Sequence, residues 1–123
     1  MLITLLVFGQ TKKKVTHQIK IDFSSIDRAE MYKYTKPIED STVGAMRKQL
    51  NSEQIKSFVE EWNNAKYLGL CKFKLLYRID LYLKDGTKRT FRINASTKET
   101  SDYCYEFSDK NYFKNLWNIA SSK

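Results

Sequence analysis

The stretch Leu75-Leu-Tyr-Arg-Ile-Asp-Leu-Tyr-Leu-Lys-Asp-Gly-Thr-Lys-Arg-Thr-Phe-Arg-Ile-Asn-Ala95 predicts a β-hairpin. Apolar and polar residues alternate on both sides of its centre, as they do in strands with one buried face. A three-residue loop over residues 84–86 pairs Leu83 with Thr87. It places Gly86 where a type I turn followed by a bulge needs a left-handed residue.

This register decides which side chains share a face of the hairpin. A two-residue Asp-Gly loop would set Ile79 against Arg92, whereas the three-residue loop keeps apolar residues opposite one another. The expected apolar pairs are Ile79 with Phe91, Tyr77 with Ile93 and Leu75 with Ala95. The opposite face is polar, basic and partly aromatic, and it carries Lys74, Arg78, Asp80, Tyr82, Lys88, Thr90 and Arg92.

Length and composition favour one folded domain. The chain has 123 residues, 41% of them hydrophobic, which is enough for one core and too short for two ordinary domains. It contains 7 Phe, 8 Tyr and 2 Trp but only 4 Gly and 1 Pro, which is typical of a compact unit. Its net charge of +8 favours anionic partners without choosing among nucleic acid, lipid head groups and acidic proteins.

The N-terminus carries the strongest indication of cellular location. Residues 2–8 are apolar and uncharged, and they give way to Gly9-Gln10 and a run of lysines, as the end of a secretory signal would. Residues 1–9 are therefore interpreted as a truncated signal peptide, and residues 10–123 as the domain. The alternative is that residues 2–8 form a strand, since periodicity does not separate the two. Seven apolar residues are too few to span a bilayer.

Strands and helices are predicted in the rest of the chain. The predicted strands cover residues 15–23, which include His17, and residues 28–35, 43–50 and 102–107. Asn51 or Ser52 caps a first helix, with Gln54 at capping-box spacing from Asn51, and Ser108 or Asp109 caps a second. The apolar stripes of the two helices are Ile55, Phe58, Val59, Trp62 and Ala65, then Phe113, Leu116, Trp117 and Ala120.

The predicted fold class is α+β, with a mainly antiparallel sheet and two amphipathic helices packed on one of its faces. Phe58, Trp62, Asn63 and Ala65 match Phe113, Trp117, Asn118 and Ala120 at one constant offset. This internal similarity suggests a βββα–βββα arrangement, although two helices packed on similar sheets would give the same match by chance.

The chain has two cysteines. Cys71 precedes the hairpin, and Cys104 lies in the predicted strand that follows the hairpin. An even number of cysteines in an exported chain predicts a disulfide, and two unpaired buried thiols are the alternative in a cytosolic chain. A nucleophilic pair of either thiol with His17 is a further alternative, but His17 lies on the apolar side of its predicted strand. No metal-ligand cluster, phosphate-binding loop or nucleophile elbow is found in the sequence, so no cofactor and no enzymatic activity are expected.

The polar face of the hairpin is the best candidate for binding. Arg78 and Arg92 lie directly opposite in the expected register, and such like charges repel unless something neutralises them. Asp80 does so in one interpretation, and an anionic partner lies between the arginines in the other. The candidate binding residues are Arg78, Asp80, Tyr82, Lys88 and Arg92.

The sequence thus predicts a small, exported, non-enzymatic binding module, periplasmic or secreted, that inhibits or sequesters another protein or an acidic macromolecule. The alternative is a cytosolic domain that binds single-stranded nucleic acid, because aromatic residues interleaved with basic ones suit that ligand.

Overall fold

A computed structural model of the protein describes residues 18–38, 45–99 and 102–120. The N-terminal run, His17 and the predicted signal peptide lie outside these residues. A 3₁₀ turn, Phe23–Ser25, opens the described fold. The strands are β1 (Ile26–Ile38), β2 (Met46–Leu50), β3 (Lys66–Leu70), β4 (Leu75–Leu83), β5 (Lys88–Ile93), β6 (Thr97–Lys98) and β7 (Tyr103–Glu106), and the helices are α1 (Ser52–Asn63) and α2 (Tyr112–Ile119).

The seven strands form one sheet in the order β2-β1-β4-β5-β6-β7-β3. Every described pair is antiparallel. The predicted α+β class is confirmed. Two described strands precede α1 and five lie between the helices, which differs from the βββα–βββα arrangement.

The hairpin has the predicted loop and register. The amide of Leu83 donates to the Thr87 carbonyl at 2.9 Å, and Gly86 has φ +92°. Tyr77 pairs with Ile93 and Ile79 with Phe91, as expected. The pair of Leu75 with Ala95 lies beyond this ladder, because β5 ends at Ile93 and the chain turns through residues 94–96 into β6.

The two helices begin differently. The capping box of α1 is confirmed, since Asn51 Oδ1 accepts from the Gln54 amide and Gln54 Oε1 accepts from the Asn51 amide, each at 2.8 Å. The predicted cap of α2 is wrong. Asp109 Oδ1 instead accepts from the Asn111 amide at 2.9 Å, and this local turn delays the helix until Tyr112.

Both helices pack on the same face of the sheet. Trp62 on α1 is 1% exposed, and its ring contacts Phe91 and Tyr105 edge-on at centroid distances of 4.9 and 5.0 Å. Phe58 meets Phe113 of α2 at 6.2 Å. These rings join the apolar residues of β1, β4 and β5 in one core. Both helices therefore lie on one side of the sheet, and no helix of the described residues covers the other side.

The segment that precedes β1 is bound by side chains and forms no strand over residues 18–22. Asn63 contacts both backbone groups of Ile21, accepting from its amide at 2.8 Å and donating to its carbonyl at 2.9 Å. The carbonyl of Ile19 accepts from Trp62 Nε1 and from Arg89. The predicted strand over residues 15–23 is therefore wrong for its described part, since side chains occupy the groups that a ladder would use.

Two strands, β3 and β6, are not predicted by the pattern of the sequence. β3 pairs with β7 at the edge of the sheet, and β6 is a two-residue strand between β5 and β7. Their short length and, in β3, the bulge near Gly69 hide the two-residue periodicity that predicts a strand.

Candidate binding face

The alternation of β4 and β5 brings the five predicted binding residues onto the helix-free side of the sheet. Arg78 pairs with Arg92, Asp80 with Thr90, and Tyr82 with Lys88. β1 continues this side, because Glu30 lies opposite Asp80 and Tyr32 opposite Arg78. The segment 72–74 lines a pocket with Arg92 and Lys98 at one end. This whole side is called the basic face below.

Asp80 lies at the centre of the basic face and is 1% exposed. Its carboxylate accepts from Arg78 Nε at 3.2 Å and Nη2 at 3.1 Å, and from the Thr90 hydroxyl at 2.9 Å. Lys88 Nζ is 3.9 Å away. Asp80 thus offsets the charges of Arg78 and Lys88, and its burial makes it an internal support for the side chains that reach the surface.

Cationic side chains stack on the aromatic rings of this face. The guanidinium of Arg28 lies 4.0 Å from the centroid of Tyr82, and that of Arg78 lies 4.0 Å from the centroid of Tyr32. Such pairs contribute on the order of 0.5 to 1 kcal/mol at exposed sites. They hold long cationic side chains flat along the sheet.

Glu30 connects β1 to its neighbours on the basic face. It accepts from the Tyr32 hydroxyl at 2.9 Å and from Arg47 Nη1 at 3.3 Å. Burial, together with the hydrogen bond to Glu30 and its negative charge, raises the pKa of Tyr32 to about 12. The phenol therefore stays protonated and serves as a donor at neutral pH.

The charges on the two sides of the sheet differ. Along β1, β2, β4, β5 and β6 and around residues 72–74, the basic face has eight cationic side chains and three carboxylates. The cations are Arg28, Arg47, Lys72, Lys74, Arg78, Lys88, Arg92 and Lys98, and the carboxylates are Glu30, Asp80 and Asp102. The helix layer, meaning α1, α2 and the connection into α2, has Glu53, Glu60, Glu61 and Asp109 against Lys56, Lys110 and Lys114. The helix-facing side of the strands adds Lys33, Lys48 and the ion pair of Arg89 with Glu99. Among the described residues, the surplus of positive charge is thus larger on the side of the sheet opposite the helices.

A pocket of about 390 Å³ lies at one end of the basic face. It is lined by Lys72, Phe73, Lys74, Arg92, Lys98 and Asp102. Of these six residues only Arg92 belonged to the predicted binding set. The others were missed because they come from a connection, from the two-residue strand β6 and from a turn, and only the Lys-Phe-Lys triplet at 72–74 hinted at them.

The predicted disulfide between Cys71 and Cys104 is confirmed, with a Cα–Cα distance of 6.0 Å. The backbone amide of Cys71 also donates to the Asp102 carbonyl at 2.9 Å. Because both cysteines are in this bond, neither is a free thiol for the alternative nucleophilic pair with His17. The disulfide anchors the start of the segment 72–74 to β7.

A second cleft, of about 360 Å³, lies between α1 and α2. The hydroxyls of Ser57 and Tyr112 are hydrogen-bonded there at 2.8 Å. Burial raises the pKa of Tyr112 to about 12. This cleft belongs to the helix layer and is lined by amides, hydroxyls and two carboxylates, Glu53 and Asp109, together with the apolar side chains of Leu116 and Ile119.

Over residues 18–38, 45–99 and 102–120, no three His, Cys, Asp or Glu side chains are grouped to hold a metal ion. Within the same ranges, neither helix has the length and apolar character needed to cross a membrane. Comparison of the chain with models of known protein families, with curated proteins and with solved structures finds no match.

Proposed function

We propose that this protein is a small, exported, non-enzymatic binding module that holds an acidic partner, foremost another protein, on its basic face. The observation that supports this most is the charge difference between the two sides of one sheet. Eight cationic groups with three carboxylates create a positive field that draws an anionic surface toward this side. Inhibition or sequestration of the partner is the proposed outcome of binding.

The rigidity of the face favours binding of a preformed surface. Asp80 is buried and holds Arg78 by hydrogen bonds. Arg28 stacks on the ring of Tyr82, and Arg78 stacks on the ring of Tyr32. Side chains that are already ordered lose less conformational entropy when a partner binds. Tyr82, Lys88 and Arg92 are the proposed contact residues, and Arg78 and Asp80 are proposed to keep them in place.

The stacking of arginines on the tyrosine rings makes single-stranded nucleic acid the weaker of the two proposed ligands. Bases bind such proteins by stacking on open aromatic rings. Here Arg28 covers Tyr82, and Arg78 covers Tyr32. A base would first have to displace a guanidinium that the protein already holds.

Export is proposed from two features. The apolar run at residues 2–8 has the composition of a signal segment, and the disulfide suits an oxidising compartment. Intact-mass measurement of protein made in an exporting host tests this. Loss of residues 1–9 with both thiols blocked until reduction is expected, and a full-length chain with two reactive thiols would contradict export.

The binding proposal is tested with poly-L-glutamate as the acidic probe at low salt. The variant Arg28→Gln/Lys88→Gln removes two charges from the basic face, and Lys56→Gln/Lys114→Gln removes two from the helix layer. We expect affinity to fall about tenfold in the first variant, equivalent to about 1.4 kcal/mol, and less than about twofold in the second. Equal losses in both variants would show attraction to net charge alone and would contradict a defined face.

A further inference from the structure

The pocket beside the disulfide has features that the rest of the basic face lacks. Lys98 is 3% exposed, although it is charged. Its ammonium donates to Asp102 Oδ1 at 2.9 Å and to the Cys71 carbonyl at 3.3 Å, and it lies 4.3 Å from the Phe73 ring centroid. A buried cation at the base of a pocket attracts an anion more strongly than an exposed one, because water screens it less.

Four cationic side chains line this pocket with one carboxylate, Asp102. The hydrogen bond from Lys98, and then the positive charges of Lys98, Lys72 and Arg92, lower the pKa of that carboxyl. Lys98, Lys72 and Arg92 therefore all stabilise the charged form of the Asp102 carboxylate, and Lys98 does so by direct contact. After Asp102 is counted, the lining still has a surplus of positive charge.

We propose that this pocket binds a phosphate group. Phosphate carries up to two negative charges, whereas a carboxylate brings one, so phosphate matches the surplus better. Three of the four cations are lysines, which act as point charges that approach an anion from several directions. Such an arrangement suits the tetrahedral oxygens of phosphate better than a planar carboxylate, which the flat fork of arginine matches.

The proposal rests on the proposed function, because the pocket is one end of the basic face, and it specifies the chemistry of the ligand there. The volume of about 390 Å³ leaves room for an ester substituent beside Phe73 as well as the phosphate. The ligand is therefore a phosphate monoester, which keeps both negative charges, and its remainder extends along the basic face.

The test uses inorganic phosphate as the probe, with acetate as the comparison anion, and follows amide chemical shifts at low ionic strength. The pocket variant is Lys72→Ala/Lys74→Ala, because both side chains belong to exposed residues and removing them leaves the core intact. The control is Arg28→Gln/Lys88→Gln, which removes the same charge from the other end of the basic face. Lys98 is left unchanged because its burial makes it part of the fold.

We expect saturable binding of phosphate, with shifts at residues 72–74, Arg92 and Lys98, and much weaker binding of acetate. The pocket variant should lose at least about tenfold in phosphate affinity, and the control less than about twofold. Equal binding of both anions, equal losses in both variants, or no saturation would overturn the proposal.

Two sources of phosphate are separated by adding glycerol phosphate and phosphatidic acid vesicles, which both carry a phosphate monoester, with zwitterionic phosphatidylcholine vesicles as the comparison that lacks one. Pocket-dependent binding of soluble glycerol phosphate, of the anionic vesicles, or of both supports the phosphate site and identifies its source. Binding of neither overturns it.

The poly-L-glutamate assay separates this inference from the proposed function. If the pocket variant loses phosphate but keeps polyglutamate binding, the two sites are distinct and both proposals stand. If phosphate fails to bind while Arg28→Gln/Lys88→Gln still weakens polyglutamate binding, only the phosphate proposal falls.

Discussion

The side chains on the two sides of the sheet are held in place in different ways, although they belong to the same strands. Along β4, Tyr77, Ile79 and Leu81 point into the helix-covered core, while Arg78 and Asp80 between them form a buried ion pair on the basic face. The first side excludes water by packing aromatic rings. The second keeps its charges and orients them with a carboxylate. A single alternation thus separates the apolar core from the proposed binding face.

The energetic consequences also differ. Burial of apolar surface on the helix side contributes roughly 25 cal/mol per Å² removed from water. Ion pairs on the basic face gain little net free energy, because desolvation of the charges offsets much of their attraction. We therefore expect substitutions in the core to act mainly on stability and substitutions of surface cations to act mainly on binding.

The largest expected effect compares one aromatic residue from each side. Trp62→Ala should lower the free energy of unfolding by about 4 kcal/mol, because it removes a fully buried ring and its hydrogen bond to Ile19. Tyr82→Ala should cost only about 1 kcal/mol, since its ring is stacked near solvent. Denaturant unfolding measures both, and similar losses would remove the distinction between the two sides.

Removal of the disulfide should have the second-largest effect on stability. Cys71→Ala/Cys104→Ala should lower stability by about 3 to 4 kcal/mol, since the bond closes a loop across 33 positions in sequence. It should also weaken phosphate binding, because Lys72 follows Cys71 directly. Thermal unfolding and the phosphate titration check these effects. Unchanged phosphate affinity in a folded variant would show that the segment 72–74 is held without the bond.

Substitution of Asp80 tests how much the central carboxylate of the basic face contributes to stability. Asp80→Asn should cost about 2 to 3 kcal/mol, because Arg78, whose side chain is 12% exposed, keeps its charge without a counter-charge. Thr90→Val, which removes only one hydrogen bond to Asp80, is the milder control at about 1 kcal/mol. Chemical denaturation of both variants tests the order, and a smaller loss for Asp80→Asn would be inconsistent with it.

Alkaline pH should affect both sides through one tyrosine on each. Tyr32 and Tyr112 each have a pKa raised from 10.0 to about 12, chiefly by burial. A raised pKa favours the protonated phenol in the folded state, so its contribution is present below pH 10 and is lost as the pH rises toward about 12.

Tyr32→Phe and Tyr112→Phe test this separately. Each variant should lose less stability than the parent between pH 10 and 12, and tyrosinate absorbance should show one fewer late-titrating group. An unchanged pH profile in either variant would show that its phenol does not contribute.

The smallest expected effect concerns Thr97 on the core side of β6. Its hydroxyl is buried and has no hydrogen-bond partner among the described residues. Thr97→Val keeps the shape and removes the unpaired group, so stability should stay equal or rise by up to about 1 kcal/mol. Thermal unfolding checks this, and a clear loss would show that the hydroxyl is satisfied in solution.

Much of the fold could be predicted where one segment carries its own signal. The hairpin register followed from Gly86 and the alternation around it, and α1 followed from the spacing of Asn51 and Gln54. The strand predicted over residues 15–23 was wrong in its described part, because Asn63 and Arg89 bind its backbone groups from distant positions in the sequence. The start of α2 was wrong because Asp109 forms a local turn with the Asn111 amide, and an aspartate suits such a turn as well as a helix cap.

The candidate site shows the same limit. Arg78, Asp80, Tyr82, Lys88 and Arg92 share a face because they belong to two strands joined by one loop. The proposed phosphate pocket takes Lys72, Lys98 and Asp102 from three separate segments, and no spacing in the sequence relates them.

The sequence by itself determined the α+β class, the hairpin, the apolar stripes of both helices and the pairing of the cysteines, because each depends on local periodicity or on a simple count. Only the tertiary structure decided that Asp80 is buried and that Arg28, Arg47, Lys72 and Lys98 join the basic side of the hairpin. It also decided that Lys98 lies beneath Phe73. These features arise from side chains distant in sequence, which meet only when the sheet has formed.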